Sequence, residues 1–213
     1  MRLPRLYPIV DVGSLTARGV ELERFVRELV EGGAEILQLR DKVGPAAEVL
    51  RRAELISGVV EGTGCVPVMN DRVDLALLAG WSAIHLGHKD LPPEAARQVF
   101  ARRPLRRPLT VGVSTHNDEQ VLEAEAGTAD YVAIGPVFDT VSKLDTEPAV
   151  GLAGVRRARA LTGKPLVAIG GITRENAPEV IAAGAEAVAV IGALFREGES
   201  VRRVLRDFLD RLR

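Results

Sequence analysis

Eight times along this chain of 213 residues, a short apolar run leads through a loop into a longer segment whose apolar residues recur with a helical period. The runs that read as strands are LYPIVD (6–11), EILQLRD (35–41), VPVMND (66–71), AIHLGH (83–88), LTVGVST (109–115), YVAIGPV (131–137), PLVAIGG (165–171) and AVAVIGA (187–193). The segments that read as helices lie near 19–32, 45–61, 72–80, 92–102, 118–127, 151–162, 174–183 and 200–212. In GVELERFVRELVEGG the apolar Val20, Leu22, Phe25, Val26, Leu29 and Val30 share one face, and Gly32-Gly33 stops the helix. Strands that are apolar throughout, alternating with amphipathic helices, imply a parallel sheet covered by helices. Eight repeats of the unit predict an α/β fold, a single (β/α)8 TIM barrel occupying residues 1–213. An open doubly wound sheet has no reason to stop at eight units, and no GxGxxG follows the first strand. One connection is long, from Phe138 to Val150.

Composition narrows the partners. A net charge of -1 gives no reason to expect nucleic acid or an acidic membrane. The longest apolar stretches, such as AVAVIGALF at 187–195, are too short to span a bilayer. MRLPRLYPIVD at the start has no apolar core of signal-peptide length, and a lone Cys65 excludes an internal disulfide framework, so a cytoplasmic location is expected. A homo-oligomer is compatible with the sequence. Of 28 basic residues only Lys42, Lys89, Lys143 and Lys164 are lysines, which makes their positions informative.

In a barrel of this kind the active site sits at the C-terminal ends of the strands. There the sequence places Gln38, Arg40 and Lys42, then Asn70-Asp71, then His85, His88 and Asp90, then Ser114-Thr115-His116. Thr140, Ser142 and Lys143 follow the sixth strand, Gly170-Gly171 the seventh, and Ile191-Gly192-Ala193 the eighth. Three of the four lysines fall in this set, and Lys164 falls at the opposite end. Arg40, Lys42, Lys143 and the hydroxyls of Thr140 and Ser142 suit phosphate oxygens. Asn70, Asp71 and Asp90 are hard oxygen donors, and two carboxylates are what Mg2+ uses when substrate phosphates complete its shell. Glycines after strands seven and eight let backbone N–H groups approach a second phosphate. Each piece also has a plain structural reading. Asn70 or Asp71 could cap the next helix, Gly170-Gly171 could be a turn, and Arg40 could pair with Asp41 or Glu35 on a rim.

Taken in order, LYPIVD, LQLRDK, MNDRVDLAL, IHLGHKDLP, VGVSTH, DYVAIGPVFDTVSK, VAIGGI and VAVIGA resemble the thiamine phosphate synthases from Leu6 to Ala193. The sister family of thiazole tautomerases shares the barrel and several motifs. The resemblance implies a transferase. It joins 4-amino-2-methyl-5-hydroxymethylpyrimidine diphosphate to a thiazole phosphate, giving thiamine phosphate and pyrophosphate. The pyrophosphate leaves first, and the thiazole nitrogen captures the pyrimidine cation. The resemblance also assigns roles. Gln38, Arg40, Lys42 and Asn70 would contact the pyrimidine diphosphate. Asp71 and Asp90 would hold Mg2+. Ser114 and Lys143 would act at the reacting pyrimidine and its diphosphate. Thr140, Ser142, Gly171, Ile191 and Gly192 would receive the thiazole phosphate. The chain departs from the usual family pattern at Asp139 (commonly proline), Ser142 (commonly threonine) and Gly192 (often serine).

The nearest rival, a tautomerase, needs a general acid/base, for which His116 is the candidate, and no diphosphate metal site. Retention of Asn70, Asp71 and Asp90 favours the synthase reading. The two histidines of IHLGHKDLP stand three apart, which on a strand sends them to opposite faces. His85 is therefore expected as a packed or hydrogen-bonded residue of the barrel mouth and His88 as a polar neighbour, with Asp90 as the ligand.

Overall fold

A computed structural model describes residues 3–101, 107–139 and 148–213. Eight parallel strands close on themselves in sequence order: β1 Leu6–Asp11, β2 Ile36–Arg40, β3 Val66–Asn70, β4 Ala83–Leu86, β5 Thr110–Thr115, β6 Tyr131–Ile134, β7 Leu166–Ile169 and β8 Ala187–Val190. The predicted (β/α)8 barrel is thus the architecture found. The helices are α1 Val12–Ala17, α2 Leu22–Gly32, α3 Ala46–Val60, α4 Val73–Leu78, α5 Pro93–Ala101, α6 Asp118–Ala126, α7 Gly151–Leu161, α8 Ala177–Ala182 and α9 Val201–Arg211. No helix among the described residues is long and apolar enough to cross a membrane.

The continuous apolar strands are explained by two cores. Leu37, Leu39, Met69, Ile84, Leu86, Val111 and Val132 point outward and pack under the helices. Tyr7, Ile9, Ile36, Val68, Tyr131, Val167 and Ala189 point inward and fill the barrel. Each fully buried Val, Leu or Ile contributes roughly 1.5–3 kcal/mol, so both faces of every strand favour burial. Several interior positions are small. Gly112 stands between His85 and Tyr131 in the strand register, and Ala83, Ala133 and Ala189 stand near them. The missing side chain at Gly112 is what lets the Tyr131 ring cross β5, because a Cβ there would lie 1.9 Å from the ring carbon Cζ.

Several boundaries differ from the sequence expectation, with β4, β6 and β7 ending two or three residues early, at Leu86, Ile134 and Ile169. Helix α1 was not expected. It forms because the Asp11 carboxylate, at the end of β1, accepts the Ser14 N–H at 2.8 Å and caps it. The eighth strand ends at Val190, not at 193, and Gly192–Leu194 form a 3-10 turn. Helix α8 starts at Ala177, not at 174, since Arg174 is drawn inward onto Glu199 at 3.2 Å and Asp207 at 2.7 Å. Helix α2 ends as its glycines predict, with Gly33 in the left-handed region at φ 104°.

Candidate active site

The C-terminal ends of the strands bring Gln38, Arg40, Asn70, His85, Ser114 and Ile191 around one cavity, floored by Tyr7. Alternation along β2 explains the first two, because Gln38 and Arg40 share the inward face with Ile36. Gln38 donates from Nε2 to the Tyr7 hydroxyl at 3.0 Å. The Tyr7 and Tyr131 hydroxyls lie 3.1 Å apart. His85 Nδ1 lies 2.9 Å from the Tyr131 hydroxyl, and its Nε2 lies 2.9 Å from Ser114 Oγ. Burial pushes the Tyr7 phenol up to about 12 and the Tyr131 phenol well above its ordinary value, so both stay protonated. His85 is thus a hydrogen-bonded residue of the mouth, as expected, while His88 is exposed in the turn beyond.

Asn70 is buried, and its Nδ2 has no hydrogen-bond partner among the described residues. A donor left unpaired in a folded interior costs about 1–3 kcal/mol, which a ligand can recover. The capping alternative for Asn70 and Asp71 is overturned: Arg72 is the N-cap of α4, and its side chain makes no capping bond.

The chain turns sharply at Asp71, which adopts φ +60° without being glycine. The Arg72 N–H bonds the Asn70 carbonyl at 2.7 Å, and the Asp71 N–H bonds the His85 carbonyl at 2.8 Å. Such a conformation is held by its surroundings at a cost, and it marks functional sites more often than plain turns. Here it aims the carboxylate at Lys42, whose Nζ donates to Oδ2 at 2.5 Å, and at the Asp90 carboxyl. Burial pushes the Asp71 carboxyl above its ordinary value; the Lys42 ammonium pulls it back, and Asp90 pushes it up again. Asp90 is held in turn by the Gly87 N–H at 2.7 Å.

Among the described residues no third histidine, cysteine, aspartate or glutamate joins Asp71 and Asp90 as a ligand set. Two adjoining carboxyls, one of them mostly buried, repel each other when both are ionised, which a shared proton or a cation between them relieves. The donor set is hard, all-oxygen and incomplete. That suits Mg2+ whose remaining positions are filled by water or substrate phosphates.

Arg40 pairs with neither rim carboxylate that the sequence suggested. Its guanidinium donates to Asp11 at the end of β1, and both side chains are largely buried. Asp41 instead binds Arg52 at 2.7 Å and accepts the Gly44 N–H at 2.8 Å, which shapes the loop carrying Lys42. Asp11, Tyr7 and Tyr131 are the supporting residues that reading strand ends alone missed, and for Asp41 the reading gave the wrong partner. For Asp11 a signal existed, since it closes LYPIVD as Asp71 closes VPVMND. For the tyrosines only the closed barrel supplies it.

At the other side of the mouth, Gly170 and Gly171 both have positive φ, 101° and 63°. A Cβ on Gly171 would stand 2.6 Å from the Asp139 carbonyl oxygen, and one on Gly170 would stand 2.5 Å from Pro136 Cβ. The glycine pair therefore lets the loop after β7 lie directly against the one after β6, where the Phe138 N–H bonds the Gly170 carbonyl at 3.0 Å. Ile191 reaches the same cavity as Gln38 and Asn70, and Gly192 opens the 3-10 turn. His116 is held by the neighbouring strand end and by α6, with Nδ1 2.5 Å from the Gly135 carbonyl and its N–H on Gln120 Oε1 at 2.8 Å. Thr140, Ser142 and Lys143 lie outside the described residues. Lys89 is exposed.

The family profile described as thiamine monophosphate synthase matches residues 6–194. The thiamine-phosphate synthase of Koribacter versatilis is 47% identical over 196 residues, covering 91% of this chain and 90% of that protein. That of Methanoregula boonei is 42% identical over 214 residues, covering 100% of this chain and 94% of that protein. A solved structure, a thiamine phosphate pyrophosphorylase from Pyrococcus furiosus, superposes with a TM-score of 0.83 at 33% identity, covering 98% of this chain and 95% of that one.

Proposed function

The chain belongs to the thiamine monophosphate synthase family, whose members are transferases forming thiamine phosphate, and from that premise we propose how its own residues carry the reaction. The substrates are 4-amino-2-methyl-5-hydroxymethylpyrimidine diphosphate and a thiazole phosphate. The bond between the pyrimidine methylene carbon and the diphosphate oxygen breaks, and the electron pair leaves with pyrophosphate. The thiazole ring nitrogen then gives its lone pair to that carbon, forming the C–N bond of thiamine phosphate.

Arg40 and Lys42 carry positive charge on the side of the mouth where the Asn70 amide has a donor to spare, and these three take the diphosphate. Arg40 is aimed by Asp11 and Lys42 by Asp71, so neither must be ordered again as charge gathers on the leaving oxygens. Asp71 and Asp90 would hold Mg2+, which would supply further neutralisation of the leaving diphosphate. Gln38 and Ser114 hold the pyrimidine ring deeper in the cavity, and Lys143 is assigned to the diphosphate from its place after the sixth strand in the sequence. The thiazole phosphate occupies the opposite side, at Gly171, Ile191 and Gly192, and Thr140 and Ser142 are assigned to it from the sequence alone. No general base is required, because the attacking nitrogen carries no proton. Holding the two rings face to face supplies much of the remaining barrier reduction.

The observation that carries this reading is the strained turn that sets Asp71 against Asp90 and Lys42. A proton-transferring tautomerase has no use for such a pair. The test is formation of thiamine phosphate from the two purified substrates with Mg2+. Chelation by EDTA and the variants Asp71→Ala and Asp90→Ala should each remove most activity while the circular dichroism spectrum stays unchanged. Full activity under all three conditions would sink the mechanism, and thiazole isomerisation without condensation would establish the tautomerase.

A further inference from the structure

Five polar side chains stand in series across the barrel: Gln38, Tyr7, Tyr131, His85 and Ser114. The proposed chemistry uses the two ends and leaves the middle three without a task. All three are buried, at 1%, 2% and 8% exposure, where an unpaired hydroxyl hydrogen is costly. Their directions can therefore be counted. An amide nitrogen only donates, so the Tyr7 oxygen receives the Gln38 hydrogen. A phenol has one hydrogen of its own, and for Tyr7 the acceptor within reach among the described residues is the Tyr131 oxygen. Tyr131, having received one hydrogen, gives its own to His85 Nδ1. A neutral imidazole that accepts at Nδ1 carries its hydrogen on Nε2, and that hydrogen goes to Ser114 Oγ. The Ser114 hydrogen is then left for the mouth, as is the Gln38 carbonyl oxygen.

We propose that Tyr7, Tyr131 and His85 are positioning residues that set the sense of this whole series, so that the mouth presents a donor at Ser114 and an acceptor at Gln38. An aminopyrimidine is the complement, since it offers a ring-nitrogen lone pair and an amino hydrogen. This rests on the pyrimidine reading of the site. The reverse sense is self-consistent only with the Gln38 amide turned over, its oxygen on Tyr7. Every bond in the series would then invert, the histidine hydrogen would sit on Nδ1, and Ser114 would become an acceptor. The two arrangements therefore differ at an observable atom.

The chain has three histidines, so long-range 1H–15N correlation of the free protein, with His88→Gln and His116→Gln used for assignment, isolates the His85 ring. At a pH where the ring is neutral, the expected result is the Nε2–H tautomer. The Nδ1–H tautomer overturns the proposal, whatever the substrate proves to be. The second measurement is a cycle on kcat/KM with Tyr131→Phe and Ser114→Ala. Each single change should lower it about tenfold, the loss of one hydrogen bond to the substrate or its support. The double variant should fall by clearly less than the product of the two single losses, because Tyr131 acts in part through Ser114 and in part, by way of Tyr7, through Gln38. Losses that multiply to about a hundredfold would show that Tyr131 is merely structural. If the wild type forms no thiamine phosphate, the functional reading fails while the tautomer measurement still decides the series.

Discussion

Replacing Gly112 by alanine perturbs the site from inside the barrel wall. The added methyl would meet Tyr131 Cζ at 1.9 Å and both Cε atoms at 2.3 Å, so the ring must leave its place. Moving it disturbs the contact with the His85 ring, whose centroid lies 5.6 Å away, and breaks the hydroxyl bonds to Tyr7 and His85. Overpacking costs about 1–3 kcal/mol and each lost hydrogen bond about 1, giving a destabilisation of roughly 3–5 kcal/mol. For a chain of this length that lowers Tm by about 10 °C, and kcat/KM should fall with it because Ser114 loses its fixed partner. The assay is urea unfolding of Gly112→Ala in two backgrounds. In Tyr131→Leu the distal ring atoms are gone, so the same methyl should cost almost nothing, or stabilise the strand by about 0.5 kcal/mol. An equal cost in both backgrounds, or a cost under about 1 kcal/mol in the wild type, would refute the claim that this glycine exists to admit the tyrosine.

Asp71→Gly should abolish condensation yet raise unfolding free energy by about 1 kcal/mol in EDTA, since glycine occupies φ +60° without strain; a loss of stability would show that the turn is not strained. Asp71 also gives a pH dependence. Its carboxyl binds a proton more tightly folded than unfolded, so stability should fall as pH rises from the ordinary aspartate value through the raised one. Urea midpoints measured across that range in EDTA should show this slope in the wild type and lose it in Asp71→Asn. Lys164→Met should lower stability by about 2–3 kcal/mol, because its ammonium donates to the Ala124 and Gly127 carbonyls at the end of α6, while kcat is unchanged. Lys42→Met should do the opposite, leaving Tm within a few degrees and removing most activity.

The contrast between these two lysines shows how far the sequence could be read. Lys164 precedes a strand and Lys42 follows one, and strand polarity in a parallel barrel assigns them to opposite ends. The same logic placed Gln38, Arg40, Asn70 and Ser114 at one mouth, and the structure gathers them around one cavity. Periodicity sufficed because the strands bury both faces and the helices one, patterns written locally along the chain. Helix α1 was not legible, since it depends on a carboxylate that also anchors Arg40 across the strand pair β1–β2. Nor was the partner of Arg40: proximity along the chain suggested Asp41, while parallel pairing sets Arg40 beside Asp11.

What the sequence determined by itself was the eightfold alternation, the polarity of each strand, and hence which residues share an end of the barrel. Closure of the sheet decided the rest. It brought Tyr7 of the first strand onto Tyr131 of the sixth, 124 positions apart, and fixed how His85 faces Ser114. It also pressed Asp71 into a conformation its residue type disfavours, against a second carboxylate. The physical reason is that hydrophobic period is a property of neighbours in the chain, whereas the direction of a buried hydrogen bond and the field at a carboxylate depend on neighbours in space.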